Sequence, residues 1–258
     1  MGLQQSEVYE KGRSIMKIHG FNKTTLLDYP EHLAATIFTG GCNLRCPFCH
    51  NGGLVLDPDS QPMIPEEEVL KFLQKRRGIL QGVCITGGEP TMQPDLEDFI
   101  CKIKELGYLV KLDTNGSRPE VLKSLLEKRL LDYVAMDIKA SEENYAYAAG
   151  VKTLEAPASL FDKIRASVEL LKNSPISYEF RTTVVKGIHT AEEFEAIGRW
   201  LAGCRAYYLQ AYRENENILA YCEQPLSLQL SDFPKEEMEC FAEMARKYID
   251  KVELRGVE

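Results

Sequence analysis

From Ala34 onward, short β-rich runs alternate with amphipathic stretches, and no linker or low-complexity segment breaks the alternation. Apolar and β-branched residues cluster at Ala34 to Thr39, Gly82 to Thr86, Tyr108 to Asp113, Tyr133 to Asp137, Tyr178 to Val185 and Ala206 to Gln210, which predicts six strands. Helices fill the gaps. The first is predicted after Ile64, with Pro65 in the first helical position and Glu66, Glu67 and Glu68 complementing the positive helix end. Its buried face is expected to carry Val69, Leu70, Phe72 and Leu73. Near the C-terminus, Ser231 or Asp232 is the expected cap of a helix whose apolar side is Met238, Phe241, Ala242, Ala245, Tyr248 and Ile249. A terminal strand over Val252 to Val257 is expected after it.

Strands joined by helical crossovers make right-handed parallel βα units, and consecutive units lie side by side. The predicted fold is therefore α/β: a partial (β/α)6 TIM-like barrel of parallel strands, with a C-terminal helix and a terminal strand. The expected organisation is an N-terminal extension over residues 1–15, the barrel domain over 16–213 and a C-terminal helical extension over 214–258. Chemistry in such folds gathers at the C-terminal ends of the strands. Each predicted strand ends in something polar or glycine-rich, so these ends are expected to converge on one face.

Composition narrows the function classes. The chain of 258 residues is 44% hydrophobic and 27% charged, enough for a sizeable core. Its eight cysteines lack the density and spacing of a disulfide framework, which points to a reducing compartment. The first fifteen residues are polar and charged, and no stretch of eighteen apolar residues occurs, so the cytoplasm is the expected location, with no membrane partner. With a formal net charge of −8 and no basic run longer than Lys75-Arg76-Arg77, nucleic acid is not an expected partner.

Three cysteines carry the strongest chemical signal. Cys42, Cys46 and Cys49 form a CxxxCxxC run directly after the first predicted strand, with Phe48 just before the last cysteine. Thiolates select zinc and iron-sulfur clusters, which in their closed forms take four protein ligands. The other cysteines, Cys84, Cys101, Cys204, Cys222 and Cys240, are scattered singly. A cluster on this loop would keep one iron open to a small molecule. The alternatives are a zinc knuckle completed by His50, which adjacency to Cys49 would strain, and three buried cysteines packing as small apolar residues.

Further candidates sit at the other strand ends. Gly87-Gly88-Glu89-Pro90 follows the second predicted strand and lets backbone approach a ligand, although the same residues also make an ordinary turn. Asp113-Thr114-Asn115-Gly116 ends the third, and Asp137-Ile138-Lys139 the fourth. Asp137 and Lys139 are two apart, so both point to one side of the chain. Together with Asp113 they could hold a cation or a zwitterionic amino acid, or simply close turns as solvated carboxylates. Arg181, inside an otherwise apolar strand, needs a partner: a bound carboxylate, or Glu89 or Asp137. Trp200, His19, His32 and His189 read as packing or surface residues.

The cysteine run followed by Gly-Gly-Glu-Pro one unit later resembles the radical S-adenosylmethionine (SAM) superfamily. Within it, Asp113 to Gly116, Asp137 to Lys139 and Val184 to Gly187 resemble the activating enzymes of glycyl radical enzymes, such as the pyruvate formate-lyase activase. Gly20 to Pro30 is similar to the anaerobic ribonucleoside-triphosphate reductase activating proteins. The resemblance covers roughly residues 16 to 213 and implies a single [4Fe–4S] cluster on Cys42, Cys46 and Cys49, with SAM chelating the open iron. It places Phe48 near the adenine and the Gly87-Gly88-Glu89 edge at the methionine amino group. It puts Asp137, Lys139 and Arg181 around the SAM carboxylate and ribose. It further implies a monovalent cation beside SAM, held by Asp113, Thr114, Asp137 and the Ala135 carbonyl. Where the formate-lyase activase has a histidine after the sixth strand, this chain reads Gln210-Ala211-Tyr212-Arg213.

The expected reaction is reductive cleavage of SAM to methionine and a 5′-deoxyadenosyl radical, which generates a glycyl radical on a partner. The implied partner is an anaerobic ribonucleotide reductase first and a formate-lyase type second, with flavodoxin or ferredoxin as reductant. The rivals are a radical SAM enzyme acting on a small molecule and an iron-sulfur electron-transfer protein.

Overall fold

The computed structural model describes residues 16–151, 157–220 and 229–257; the expected extension over 1–15 and Cys222 lie outside them. Eight strands form a single sheet in sequence order: β1 (Ile18–Thr25), β2 (Ala34–Thr39), β3 (Gly82–Gly87), β4 (Leu109–Thr114), β5 (Tyr133–Asp137), β6 (Ser177–Val184), β7 (Tyr207–Ala211) and β8 (Val252–Arg255). From β2 to β8 every neighbouring pair is parallel, and β1 runs antiparallel to β2. The described strands end at β1 and β8 without pairing to one another, so the sheet is an open barrel.

All six parallel strands expected from the pattern are present, shifted by at most one residue, and the terminal strand is shorter than expected at Val252–Arg255. β1 was not expected. It is an edge strand whose central residues Asn22, Lys23 and Thr24 are exposed, so no apolar alternation marks it.

Alternation along the parallel strands separates two environments. Val83, Ile85, Val110, Leu112, Val134, Met136, Phe180 and Val184 face outward into the core formed with the helices. The residues between them, Thr86, Asp113, Asp137, Arg181 and Thr183, line the mouth of the barrel. The apolar core thus lies around the sheet, and the barrel interior is left polar.

The helices that cover the sheet follow their sequence signals with two corrections. The helix Glu66–Lys75 has Pro65 at its N-cap and not in the first helical position, because Pro65 has the extended backbone φ −59°, ψ 135°. Val69 and Leu73 form its buried face, with Leu70 and Phe72 half-buried. The helix Lys235–Arg246 is preceded by Pro234 at the N-cap, so neither Ser231 nor Asp232 caps it. A residue before proline is driven out of helical geometry, and Ser231 instead uses its carbonyl to accept the Lys186 N–H at 2.9 Å.

Candidate active site

The cysteine loop leaves β2 and is tied down by backbone. Gly41 N–H donates to the Leu54 carbonyl at 2.8 Å, Arg45 N–H to Ala149 at 2.9 Å and Cys49 N–H to Cys46 at 3.0 Å. The Arg45 guanidinium folds back to the carbonyls of Cys42 (2.6 Å) and Leu44 (2.9 Å). Two donors reach the Cys42 sulfur: Leu44 N–H at 3.4 Å and the Asn115 side-chain amide at 3.8 Å. Burial pushes the Cys42 thiol up to about 11 and Cys46 up to about 12, and raises Cys49. Such sulfurs stay protonated thiols until a metal displaces the proton.

The Gly-Gly pair at the end of β3 serves the cysteine loop directly. Gly88 N–H donates to Thr39 and Glu89 N–H to Gly41, both at 2.8 Å. A Cβ on Gly88 would lie 2.0 Å from the Gly41 carbonyl oxygen, so only glycine allows the two loops to touch. Gly87, at φ +117°, is in a conformation that L side chains rarely adopt. The Gly87 carbonyl accepts the Asn51 side-chain amide at 2.7 Å.

Glu89 is fully buried. Its carboxylate accepts the Thr91 N–H and O–H, the Thr114 O–H at 2.7 Å and the Asn115 N–H at 2.7 Å. Burial pushes its pKa up, opposed by these donors. With every oxygen engaged, the side chain is a brace between the β3 and β4 loops.

Five charged groups alternate in sign across the barrel mouth. Lys111 pairs with Asp113, whose second oxygen receives Arg181 Nη2 at 3.1 Å. Arg181 Nε bonds Asp137 at 2.5 Å, and the other Asp137 oxygen takes Lys139 Nζ at 2.9 Å. Burial opposes the charge on both carboxylates, but Arg181 with Lys111 and Arg181 with Lys139 outweigh it, holding Asp113 and Asp137 below the usual carboxylate range. Arg181 thus has Asp137, one of the two expected partners, and Asp113, which was not considered; Glu89 is spent elsewhere.

The candidate cluster and SAM-binding side chains singled out from the sequence meet here. Cys42, Cys46, Phe48, Cys49, Gly87, Gly88, Glu89, Asp113, Thr114, Asp137, Lys139 and Arg181 all line one cavity at the C-terminal ends of β2 to β6. Gln210 to Arg213 do not line it. His50 is at the edge of the cavity, where its Nε2 engages the Arg213 carbonyl at 2.8 Å and its ring stacks on Tyr212.

Three residues have roles here that the sequence reading did not assign. Asn115 reaches both the Cys42 sulfur and, at 3.0 Å, the Asn43 side chain. Lys111 and Asp113, two apart on β4, share the barrel-facing side, a signal visible in the chain but not used. His189 is buried between Val185 N–H, which its Nδ1 accepts at 3.0 Å, and the Lys139 carbonyl at 2.8 Å, with its ring beside Phe48. Since Nδ1 accepts, Nε2 carries the proton and donates to Lys139.

Among the described residues no three His, Cys, Asp or Glu side chains converge on one metal ion. Three thiolates on one short loop fit a cluster, which gives each thiolate its own iron, and the His50 Nε2 is already engaged with the Arg213 carbonyl.

An open parallel barrel with a three-cysteine loop beside an alternating charge ladder at its mouth is the architecture of an enzyme that binds a cluster and a charged small molecule side by side. The chain belongs to the radical SAM superfamily, whose family profile matches residues 36–201. It is 34% identical over 244 residues to a Methanocaldococcus jannaschii protein named as a glycyl-radical enzyme activating enzyme, covering 93% of this chain and 96% of that protein. It is also 34% identical over 161 residues to a Thermococcus kodakarensis protein named as a GTP 3′,8-cyclase, covering 62% of this chain and 50% of that protein. The fold is similar to the crystal structure of Streptococcus suis SuiB bound to S-adenosylmethionine, with TM-score 0.62 and 14% identity, over 83% of this chain and 48% of that one. The protein is a radical SAM enzyme with activating enzymes among its homologues, and its family implies SAM and a [4Fe–4S] cluster.

Proposed function

We propose that this protein activates a glycyl radical enzyme, with an anaerobic ribonucleotide reductase as the first candidate and a formate-lyase type as the second. The observation that carries this reading is the likeness to a named activating enzyme along nearly the whole of both chains. The likeness to the cyclase stops at half of that protein, which leaves a small-molecule substrate as the second reading.

Cys42, Cys46 and Cys49 would hold the cluster. When bound together, cluster and SAM supply one-electron cleavage of the sulfonium to methionine and a 5′-deoxyadenosyl radical able to take hydrogen from a glycine Cα. The chain's own residues bind and orient. Lys139 and Arg181 would attract the SAM carboxylate, the backbone edge at Gly87 and Gly88 would receive the amino group, and Phe48 would offer an apolar surface to the adenine. The described strands leave an edge open between β1 and β8, and the partner's peptide loop would approach the barrel there. The seven cysteines among the described residues are all free thiols, in keeping with a reducing cytoplasm where flavodoxin or ferredoxin supplies the electron. No described helix is long and apolar enough to cross a membrane.

The test is an anaerobic EPR spectrum of the reconstituted, reduced protein mixed with SAM and the host's anaerobic ribonucleotide reductase. A glycyl-radical doublet on the reductase is expected. 5′-Deoxyadenosine without a doublet would reject this partner, and neither product from a loaded, reduced protein would favour electron transfer.

A further inference from the structure

Lys111 is a lysine inside a barrel. Its side chain is 3% exposed, and it projects from β4 on the same side as Asp113. The ammonium bonds the Asp113 carboxylate and lies 3.7 Å from the Cys84 sulfur on the neighbouring strand. Ionising a buried lysine is costly without a partner; burial is the largest single influence and opposes the charge, and the Asp113 carboxylate, by attraction and hydrogen bond, together with the Cys84 sulfur keeps it charged. A wholly apolar residue could fill this place at less cost.

The cation expected beside SAM finds its three side-chain donors taken. Asp113 gives one oxygen to Lys111 and the other to Arg181. Asp137 gives one to Arg181 and the other to Lys139. Thr114 Oγ1 donates to Glu89 and accepts the Gly116 N–H at 3.1 Å. Asp113 and Asp137 are already paired with Lys111, Arg181 and Lys139, and a further cation would meet like charge at short range in a poorly solvated site. The residues present do not fit a free monovalent cation.

We propose that Lys111 is the built-in cation of this site, a positioning residue that holds Asp113 and, through it, Arg181 ready for SAM. SAM binding by this chain then needs no added monovalent metal ion. The inference rests on the SAM reading of the cavity and deepens it.

The test is calorimetric titration of SAM into cluster-loaded protein, with Lys111→Ala, Lys111→Met and Lys111→Arg variants of matched iron content, in choline, sodium, potassium and methylammonium chloride. Wild-type Kd should agree across the salts to within about twofold. Lys111→Ala should bind at least about tenfold more weakly in choline and recover with methylammonium or potassium, which enter the vacated space. Should Lys111→Ala fail to fold, Lys111→Arg should bind like wild type and Lys111→Met weakly. Wild-type affinity that rises about tenfold with potassium would overturn the inference alone. So would Lys111→Ala or Lys111→Met binding SAM like wild type in choline. A loaded wild type that binds no SAM in any salt would instead overturn the cofactor reading, and this inference with it.

Discussion

The Glu89 carboxylate accepts the backbone N–H of Asn115 at 2.7 Å, which fastens the loop after β3 to the loop after β4. Three further donors from Thr91 and Thr114 complete its shell. A Glu89→Gln variant turns one acceptor oxygen into an amide that faces donors, and leaves a buried donor unpaired. The expected loss is about 1–3 kcal/mol of stability, read by urea unfolding. An unchanged midpoint would mean that the brace carries no load.

Arg181 is the shared partner of two buried carboxylates, Asp113 and Asp137. Arg181→Met strands both, and breaking a buried pair in this way costs about 3–5 kcal/mol. Its stability should fall by that order even with no SAM present. Loss of SAM affinity at full stability would make Arg181 a ligand-facing residue with no structural duty.

The cysteine loop divides the thiols into two classes. Replacing Cys42, Cys46 or Cys49 by Ala should abolish iron binding after anaerobic reconstitution, measured by iron analysis and cluster absorbance. Cys84→Ser, which alters a thiol in the barrel wall outside the loop, should keep its iron. Gly88→Ala should lose iron without touching any sulfur, because its methyl would collide with Gly41. Full iron in that variant would show that the cysteine loop stands without the Gly-Gly contact.

His189 has its pKa lowered below 6.5, chiefly by burial. A lowered base binds its proton less readily folded than unfolded, so the stabilisation is fully present above pH 6.5. It is lost progressively as the pH falls below that value. Protonation also takes away the lone pair that accepts the Val185 N–H. Wild type should lose more stability between about pH 7.5 and pH 5.5 than His189→Gln in the same cluster state, by urea unfolding at each pH. Parallel pH slopes for the two proteins would exclude this role.

The sequence determined by itself the six parallel strands and the place of the chemistry. Outward-facing positions such as Val83, Val110 and Val134 demand a core around the sheet, and polar or glycine-rich strand ends then fall on one face. The cysteine spacing likewise carried its own meaning, since a short loop brings its thiols together whatever surrounds it. Tertiary structure decided what each charge does. Glu89 reads as a ligand-facing carboxylate, yet four donors brought from distant loops consume it. The Lys111–Asp113 pair could be read from the strand alternation, yet only the parallel register brings Cys84 of the neighbouring strand to the ammonium. His189 lies fifty residues from the Lys139 carbonyl that it holds. Partners of buried polar groups are chosen by desolvation, which penalises any unpaired group and acts only once the barrel has brought the strands together.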